Sequence, residues 1–228
     1  MIRDEDLKSS IDYSEGQKKA AHRVLVELVN IFREYEEEIR IVGGWVPDLM
    51  FPGEGHVGSV DVDILAGMYG GTQPKRRSQH VQGIKALKAT GGNFAFDFPA
   101  QKISVEAERP DGAMDVANVN VVAVVPYIIM KTAAMGRGKA KDAYDIYFII
   151  KHYSGGVKEL AGEFKPVADK NLVLEMRNKL AGKFASANHA GPKDVSDFLD
   201  LEDEEETEMI KRDAYEQVQA LLNLIVVE

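Results

Sequence analysis

The stretch that decides the fold is Ile41-Val-Gly-Gly-Trp-Val-Pro-Asp-Leu-Met50, followed after a loop by Ser59-Val-Asp-Val-Asp-Ile-Leu65. Ile39 to Val42 reads as a short apolar strand, and the adjacent glycines Gly43 and Gly44 let the backbone turn tightly and approach a ligand closely. Trp45 to Met50 then reads as a short helix, whose first amides would face phosphate oxygens. Val60 to Leu65 reads as a second strand, in which alternate side chains share a face. Asp61 and Asp63 therefore point one way, and Val60, Val62 and Ile64 point into the fold. Two carboxylates on one face repel each other unless a cation lies between them. Magnesium suits such a pair, because it takes one or two carboxylates and completes its shell with phosphate oxygens.

Working outward, residues 15 to 37 place Ala20, Val24, Leu25, Leu28, Val29 and Phe32 at helical spacing, an amphipathic helix packed on a core. The loop Phe51 to Gly58 carries Pro52, Gly53 and Gly55. Ser78 to Thr90 reads as a helix stopped by Gly91 and Gly92. Phe94 to Phe98, Lys102 to Glu108 and Met114 to Val125 read as strands, with Asp111-Gly112 as a two-residue hairpin signal between the last two. After Pro126 the pattern is helical, over Tyr127 to Met135, Lys139 to His152, about 171 to 186 and about 206 to 224. The expected fold is α/β (α+β), a mixed sheet of about five strands with flanking helices. A soft boundary near residue 125 divides it into an α/β domain over 1–125 and a helical domain over 126–228.

A chain of 228 residues with 45% hydrophobic and 29% charged residues is that of an ordinary globular protein. With no cysteine, disulfides, thiol catalysis and thiolate zinc sites are excluded. The start, Met-Ile-Arg-Asp-Glu-Asp, is too acidic for a signal peptide, and no apolar run reaches the roughly 18 residues of a membrane span. A cytoplasmic protein without a membrane partner is expected. The formal net charge of -9 argues against a nucleic-acid partner until its location is considered. Eleven acidic residues against Lys211 and Arg212 between Asp194 and Glu216 carry all of it. Elsewhere Lys75, Arg76, Arg77, Lys85 and Lys88 form an acid-free basic stretch, and Lys131, Arg137, Lys139 and Lys141 form another. Each would serve as a phosphate track or as a solvated helix face.

Three further groups carry chemistry. Glu106 lies on the strand face opposite Ile103 and Val105 and is the preferred third carboxylate for a two-metal site, with Asp97 and Asp115 as alternatives. Lys131 stands on an apolar helix, where it would snorkel from the core edge or reach a triphosphate. Asp142 and Asp145, three apart, share a face of the next helix, and Asp142 equally suits the first turn as a dipole complement. A glycine turn facing an Asp-x-Asp strand is the layout of a nucleotide site at which a metal assists transfer.

The order Ile-Val-Gly-Gly-Trp-Val, Ser-Val-Asp-Val-Asp-Ile-Leu, Lys-Thr-Ala-Ala-Met, Arg-Gly-Lys-Ala-Lys-Asp-Ala-Tyr-Asp-Ile-Tyr resembles the nucleotidyltransferase toxins of the AbiEii/AbiGii type, in the DNA polymerase β-like superfamily. The resemblance spans Ile39 to about Ile150, and more weakly the tail with Asp194-Val-Ser-Asp-Phe-Leu and Arg212-Asp-Ala-Tyr-Glu-Gln-Val. It implies that Gly43 and Gly44 open the phosphate site, that Ser59 precedes the metal strand, and that Asp61 and Asp63 bind one or two magnesium ions. It further implies that Lys131 contacts the triphosphate and that Asp142 or Asp145 completes the active site. Arg137 or Lys75 to Arg77 would neutralise the leaving group, and Lys75 to Lys88 would track an RNA backbone. Gly58 and Ser59 stand where the family's strand often opens with arginine and threonine. The implied activity is transfer of a nucleoside monophosphate from a nucleoside triphosphate to an acceptor such as tRNA, by a toxin with a cognate antitoxin. Transfer to a small polycationic acceptor of the aminoglycoside type, and a non-catalytic binding module of the same fold, are the rival expectations.

Overall fold

Four segments, each carrying isoleucine or valine, hydrogen-bond into a mixed sheet, in a computed structural model that describes residues 7–67, 80–81, 84–85, 89–109, 111–135 and 138–225. The sheet order is β2-β1-β6-β5, with β1 at Ile39–Val42, β2 at Asp63–Ala66, β5 at Gln101–Glu108 and β6 at Met114–Val121. Strand β1 is buried at all four residues and lies antiparallel to β2 and parallel to β6. Strands β5 and β6 form the hairpin expected from Asp111-Gly112, with Gly112 at φ 82° and the Asp111 side chain accepting from the Ala113 amide at 3.1 Å. The chain is therefore mixed α/β, and among the described residues its main sheet has four strands where about five were expected.

The helices are α1 at Glu15–Ile31, α2 at Val46–Met50, α3 at Val124–Ala134, α4 at Ala140–His152, α5 at Gly156–Phe164, α6 at Asn171–Lys183, α7 at Ala190–Leu199 and α8 at Glu204–Leu224. Ser14 caps α1 by accepting from the Gln17 amide, and Asp203 caps α8 by accepting from the Glu206 amide. Helix α1 buries Ala21, Leu25, Val26 and Val29, a stripe rotated from the expected one, which leaves Val24 exposed. Its α-helical path ends at Ile31, and Arg33–Glu38 continues as 3-10 turns into β1.

Several expected elements differ. Phe94 to Phe98 is not a strand: Asn93–Phe96 is a 3-10 turn, in which Phe94 meets Phe98 edge-on at 5.1 Å and Phe96 lies under the Arg40 guanidinium. Aromatic residues spaced for one helical turn pack together there and do not alternate across a sheet. Within the expected helix from Ser78 to Thr90, the described residues form a two-stranded antiparallel ribbon, β3 at His80–Val81 and β4 at Ile84–Lys85. Gly83, a poor helix former, stands between its strands in the sequence. The strand expected over Met114 to Val125 stops at Val121, and α3 begins before Pro126. Proline is tolerated in a helix's first turn, where its missing amide would have no partner within the helix. Asp61 precedes β2 in a bend, so it does not share a strand face with Asp63. Helices α5 and α7 lay outside the expected pattern; α5 follows Gly155 at φ 82°, and α7 opens with Gly191 and Pro192.

One apolar core runs from the sheet through the helices, with Trp45, Tyr127, Phe164, Phe184 and Phe198 among its fully buried side chains. Helix α4 is its axis, because every residue from Lys141 to Ile150 is buried. Phe198 of α7 packs on Tyr144 of α4 at 4.7 Å between ring centroids and on Tyr13 at 5.9 Å. Phe198→Ala is expected to lower the unfolding free energy by about 3–5 kcal/mol in denaturant titration, through lost transfer energy and an unfilled cavity.

Candidate functional site

The end of β1 meets the start of β2 at the glycine pair, and the two glycines are needed for different reasons. Gly43 has φ +75°, in the left-handed region, and a Cβ there would fall 2.1 Å from Asp63 Oδ2. Gly44 has an ordinary φ, yet a Cβ on it would fall 2.9 Å from Lys141 Nζ and 3.1 Å from Ser59 Oγ. The register that pairs Val42 with Asp63 puts this carboxylate beside the turn. Ser59 is buried and donates its hydroxyl to Asp61 Oδ1 at 2.7 Å. Asp61 and Asp63 are both exposed. The turn is thus the meeting point of Asp63, Ser59 with Asp61, and the ammonium of Lys141.

Behind the turn lies a buried charge cluster centred on Asp145, which is fully buried. Its Oδ1 receives Lys141 Nζ and His56 Nε2, each at 2.9 Å, and its Oδ2 receives Lys131 Nζ at 2.7 Å and Lys141 Nζ at 3.2 Å. Lys131 Nζ also binds Asp142 Oδ1 at 2.9 Å. Burial works to raise the Asp145 pKa, but the charges of Lys131 and Lys141 and the His56 hydrogen bond overcome it and hold the carboxyl well below its ordinary range. Burial likewise opposes the charge on Lys131, and the Asp145 and Asp142 charges outweigh it, so its pKa stands well above the usual value. The Tyr127 phenol, fully buried, is pushed well up by burial and then by the Asp145 charge, and so stays protonated. For His56 burial dominates, offset in part by Asp145, and the pKa falls to about 4. The ring is neutral near pH 7.

Of the residues singled out in the sequence, this arrangement gathers Gly43, Gly44, Ser59, Asp61, Asp63, Lys131, Asp142 and Asp145 around one turn and the cluster behind it. Asp142, buried in the first turn of α4, joins its expected place at the helix start with an ion pair to Lys131. Glu106 does not join them. It lies on β5, at the sheet edge opposite β2, with β6 and β1 between, a separation of about 14 Å in strand spacings. It lines a concavity of about 390 Å³ with Lys18, His22 and Asp48. Asp115, on β6, neighbours Arg109 at 3.8 Å, and Asp97 ends the turn after Phe96, exposed. Lys75, Arg76, Arg77, Lys88 and Arg137 lie outside the described residues, and of Lys85 only its place in β4 is described.

Two members of the cluster, Lys141 and His56, were not singled out as site residues from the sequence. Lys141 carried a signal, since it stands four residues before Asp145 on an apolar helix. His56 carried none, because its partner is 89 residues away.

No family model, curated protein or solved structure matches this chain. The chemistry of the site therefore rests on its own residues. Among the described residues there is no group of three or more histidines, aspartates or glutamates suited to a metal ion. Asp61 and Asp63 supply two carboxylates, a donor set that fits magnesium when phosphate oxygens fill the remaining positions.

Because the folded state lowers the His56 pKa from 6.5 to about 4, the unfolded chain binds more protons between these values. Stability contributed by the neutral ring is complete above about pH 6.5 and is lost as pH falls toward 4. His22, whose pKa is also lowered by burial, acts in the same direction. Thermal or denaturant unfolding should show a fall of about 2 kcal/mol between pH 7 and 5 from His56. The His56→Gln chain should lack that share of the slope, and an unchanged slope would contradict the assignment of a buried neutral ring.

Proposed function

We propose that the chain is a metal-dependent nucleotidyltransferase of the AbiEii/AbiGii type. On this reading it moves a nucleoside monophosphate from a nucleoside triphosphate to an acceptor hydroxyl on an RNA such as tRNA. It acts in the cytoplasm as the toxin of a toxin–antitoxin or phage-defence system. The observation that carries the reading is the pairing of two exposed carboxylates, Asp61 and Asp63, with a glycine turn whose far side rests on the Lys141 ammonium. The exposure of both aspartates favours a working site over a retained fold, since neither is locked in the core.

The residues would divide the work as follows. Asp61 and Asp63 would hold one or two magnesium ions against the triphosphate, with Ser59 fixing Asp61 through its hydroxyl. When bound there, magnesium supplies Lewis-acid polarisation of the phosphate oxygens. The acceptor oxygen attacks the α-phosphorus in line, its proton passing to water, and the bond to the bridging oxygen breaks as pyrophosphate leaves with the electron pair. The Gly43–Gly44 turn allows the phosphates to approach the backbone closely. Lys131 and Lys141, fixed by Asp142 and Asp145, act as preorganised positive ends that need no rearrangement as charge moves to the leaving group. Positioning and electrostatics, with no covalent step on the protein, suffice for such chemistry.

Incubating the chain with each labelled nucleoside triphosphate, magnesium and total RNA tests the reading. Label is expected in RNA, with a loss of more than about 100-fold in Asp61→Ala and Asp63→Ala chains that fold normally. Label in a small polycationic acceptor instead of RNA would move the substrate class, and absence of transfer to any acceptor would remove the enzymatic reading.

A further inference from the structure

Between the glycine turn's short helix α2 and strand β2, residues 51–62 form neither helix nor strand and carry Asp61 near their end. Gly53, Gly55 and Gly58 bend this segment through φ of 85°, 84° and 69°. Backbone of this kind has little stiffness of its own. It is nevertheless anchored, because His56 enters the core and is only 3% exposed. The imidazole stacks on Tyr144 at 5.3 Å and 14° and meets Phe148 edge-on at 4.8 Å.

Both ring nitrogens are engaged. The Gly58 amide donates to Nδ1 at 3.0 Å, so in the neutral ring the proton sits on Nε2, the atom 2.9 Å from Asp145 Oδ1. One ring therefore joins a buried carboxylate of α4 to the backbone amide just before Ser59, whose hydroxyl holds Asp61. Gly58 also rests on Trp45, since a Cβ there would fall 3.0 Å from the indole ring.

We propose that His56 is the positioning residue of the candidate metal site: through Gly58 and Ser59 it sets where Asp61 stands relative to the Gly43–Gly44 turn. His56 touches no substrate in this role. The nature of what the site binds rests on the nucleotidyl-transfer reading, whereas the ordering of residues 57–62 does not. A ring that served only as packing would be replaced by phenylalanine without effect on this segment. A ring that positions through its two nitrogens would not be.

The test uses the full chain with His56→Phe, His56→Asn and His56→Gln, measured by amide hydrogen exchange, by fluorescence of Trp45, the single tryptophan, and by titration with Mn2+ and each of the four nucleoside triphosphates. Asparagine keeps an acceptor near the Nδ1 position, and glutamine keeps a donor near the Nε2 position. In His56→Phe, exchange over residues 57–62 is expected to quicken at least about ten-fold, with α6 and α8 as protected as in the parent chain and Trp45 emission shifted to the red. The dissociation constant for Mn2+ with nucleotide should rise at least about ten-fold, a change of about 1.4 kcal/mol. The Asn and Gln chains should lie between, and they decide the matter if His56→Phe fails to fold. Parent-like exchange and emission in all three would overturn the ordering role. A loosened segment with unchanged Mn2+–nucleotide affinity would overturn the positioning role. A parent chain that binds no nucleotide would instead sink the nucleotide reading, with the exchange data still deciding whether His56 orders the segment.

Discussion

The structure turns on a single fully buried carboxylate. An ionised aspartate taken out of water is tolerated only when its oxygens are fully engaged by donors and opposing charge. Asp145 meets that requirement with Lys141 on its own helix, Lys131 from α3 and His56 from the segment between α2 and β2. With Asp142 included, two ammonium groups balance two carboxylates, and the neutral imidazole supplies a hydrogen bond without adding charge. Displacing α3 from α4 would leave buried charges without their partners, and displacing the 51–62 segment would leave Asp145 Oδ1 one donor short. The relative placement of α3, α4 and the 51–62 segment is in this way over-determined by one side chain.

The same constraint explains the glycine pair. Lys141 can serve Asp145 while lying against the β1–α2 turn only because residue 44 has no side chain to occupy that space. At residue 43 the chain leaves β1 with a left-handed φ, and the missing side chain is what avoids a collision with Asp63. A neutral, water-poor interior thus ends directly at an exposed acidic rim formed by Asp61 and Asp63. The change from one dielectric environment to the other occurs across the thickness of a backbone turn. At such a boundary fixed charges act on a bound anion with little screening.

How much of this was legible in the sequence depended on how local each cause was. Strand β1, the glycine turn, the hairpin at Asp111-Gly112 and helix α4 were all visible, because turn chemistry and periodicity act over a few residues. Lys131 was visible because a charge on an otherwise apolar helix demands an explanation. Phe94 to Phe98 misled, since aromatic residues favour strands by composition while the contact between Phe94 and Phe98 belongs to a turn. Helices α5 and α7 escaped because glycine and proline at their starts read as breakers. Glu106 was drawn into the wrong neighbourhood because strand order, which sets β5 at the edge away from β2, is not encoded in any local pattern. His56 stood between Gly55 and Val57 with no periodic context, and its role comes wholly from a contact across the chain.

Stability alone does not account for the cluster. Replacing a whole buried ion cluster by well-packed apolar residues of similar size is often neutral or stabilising, so leucine or methionine at positions 131, 141, 142 and 145 together would meet the packing needs of a core organised around α4. Apolar packing, however, is not directional, and it would fix neither the height of the side chain at position 141 beneath Gly44 nor the orientation of the His56 ring. Two of the donors to Asp145 lead outward, Lys141 to the turn and His56 to the segment bearing Asp61. The desolvation cost concentrated at Asp145 is best understood as the cost of holding two exposed carboxylates and a glycine turn in one arrangement. On the proposed nucleotidyl-transfer reading, a metal-bound phosphate chain would use that arrangement.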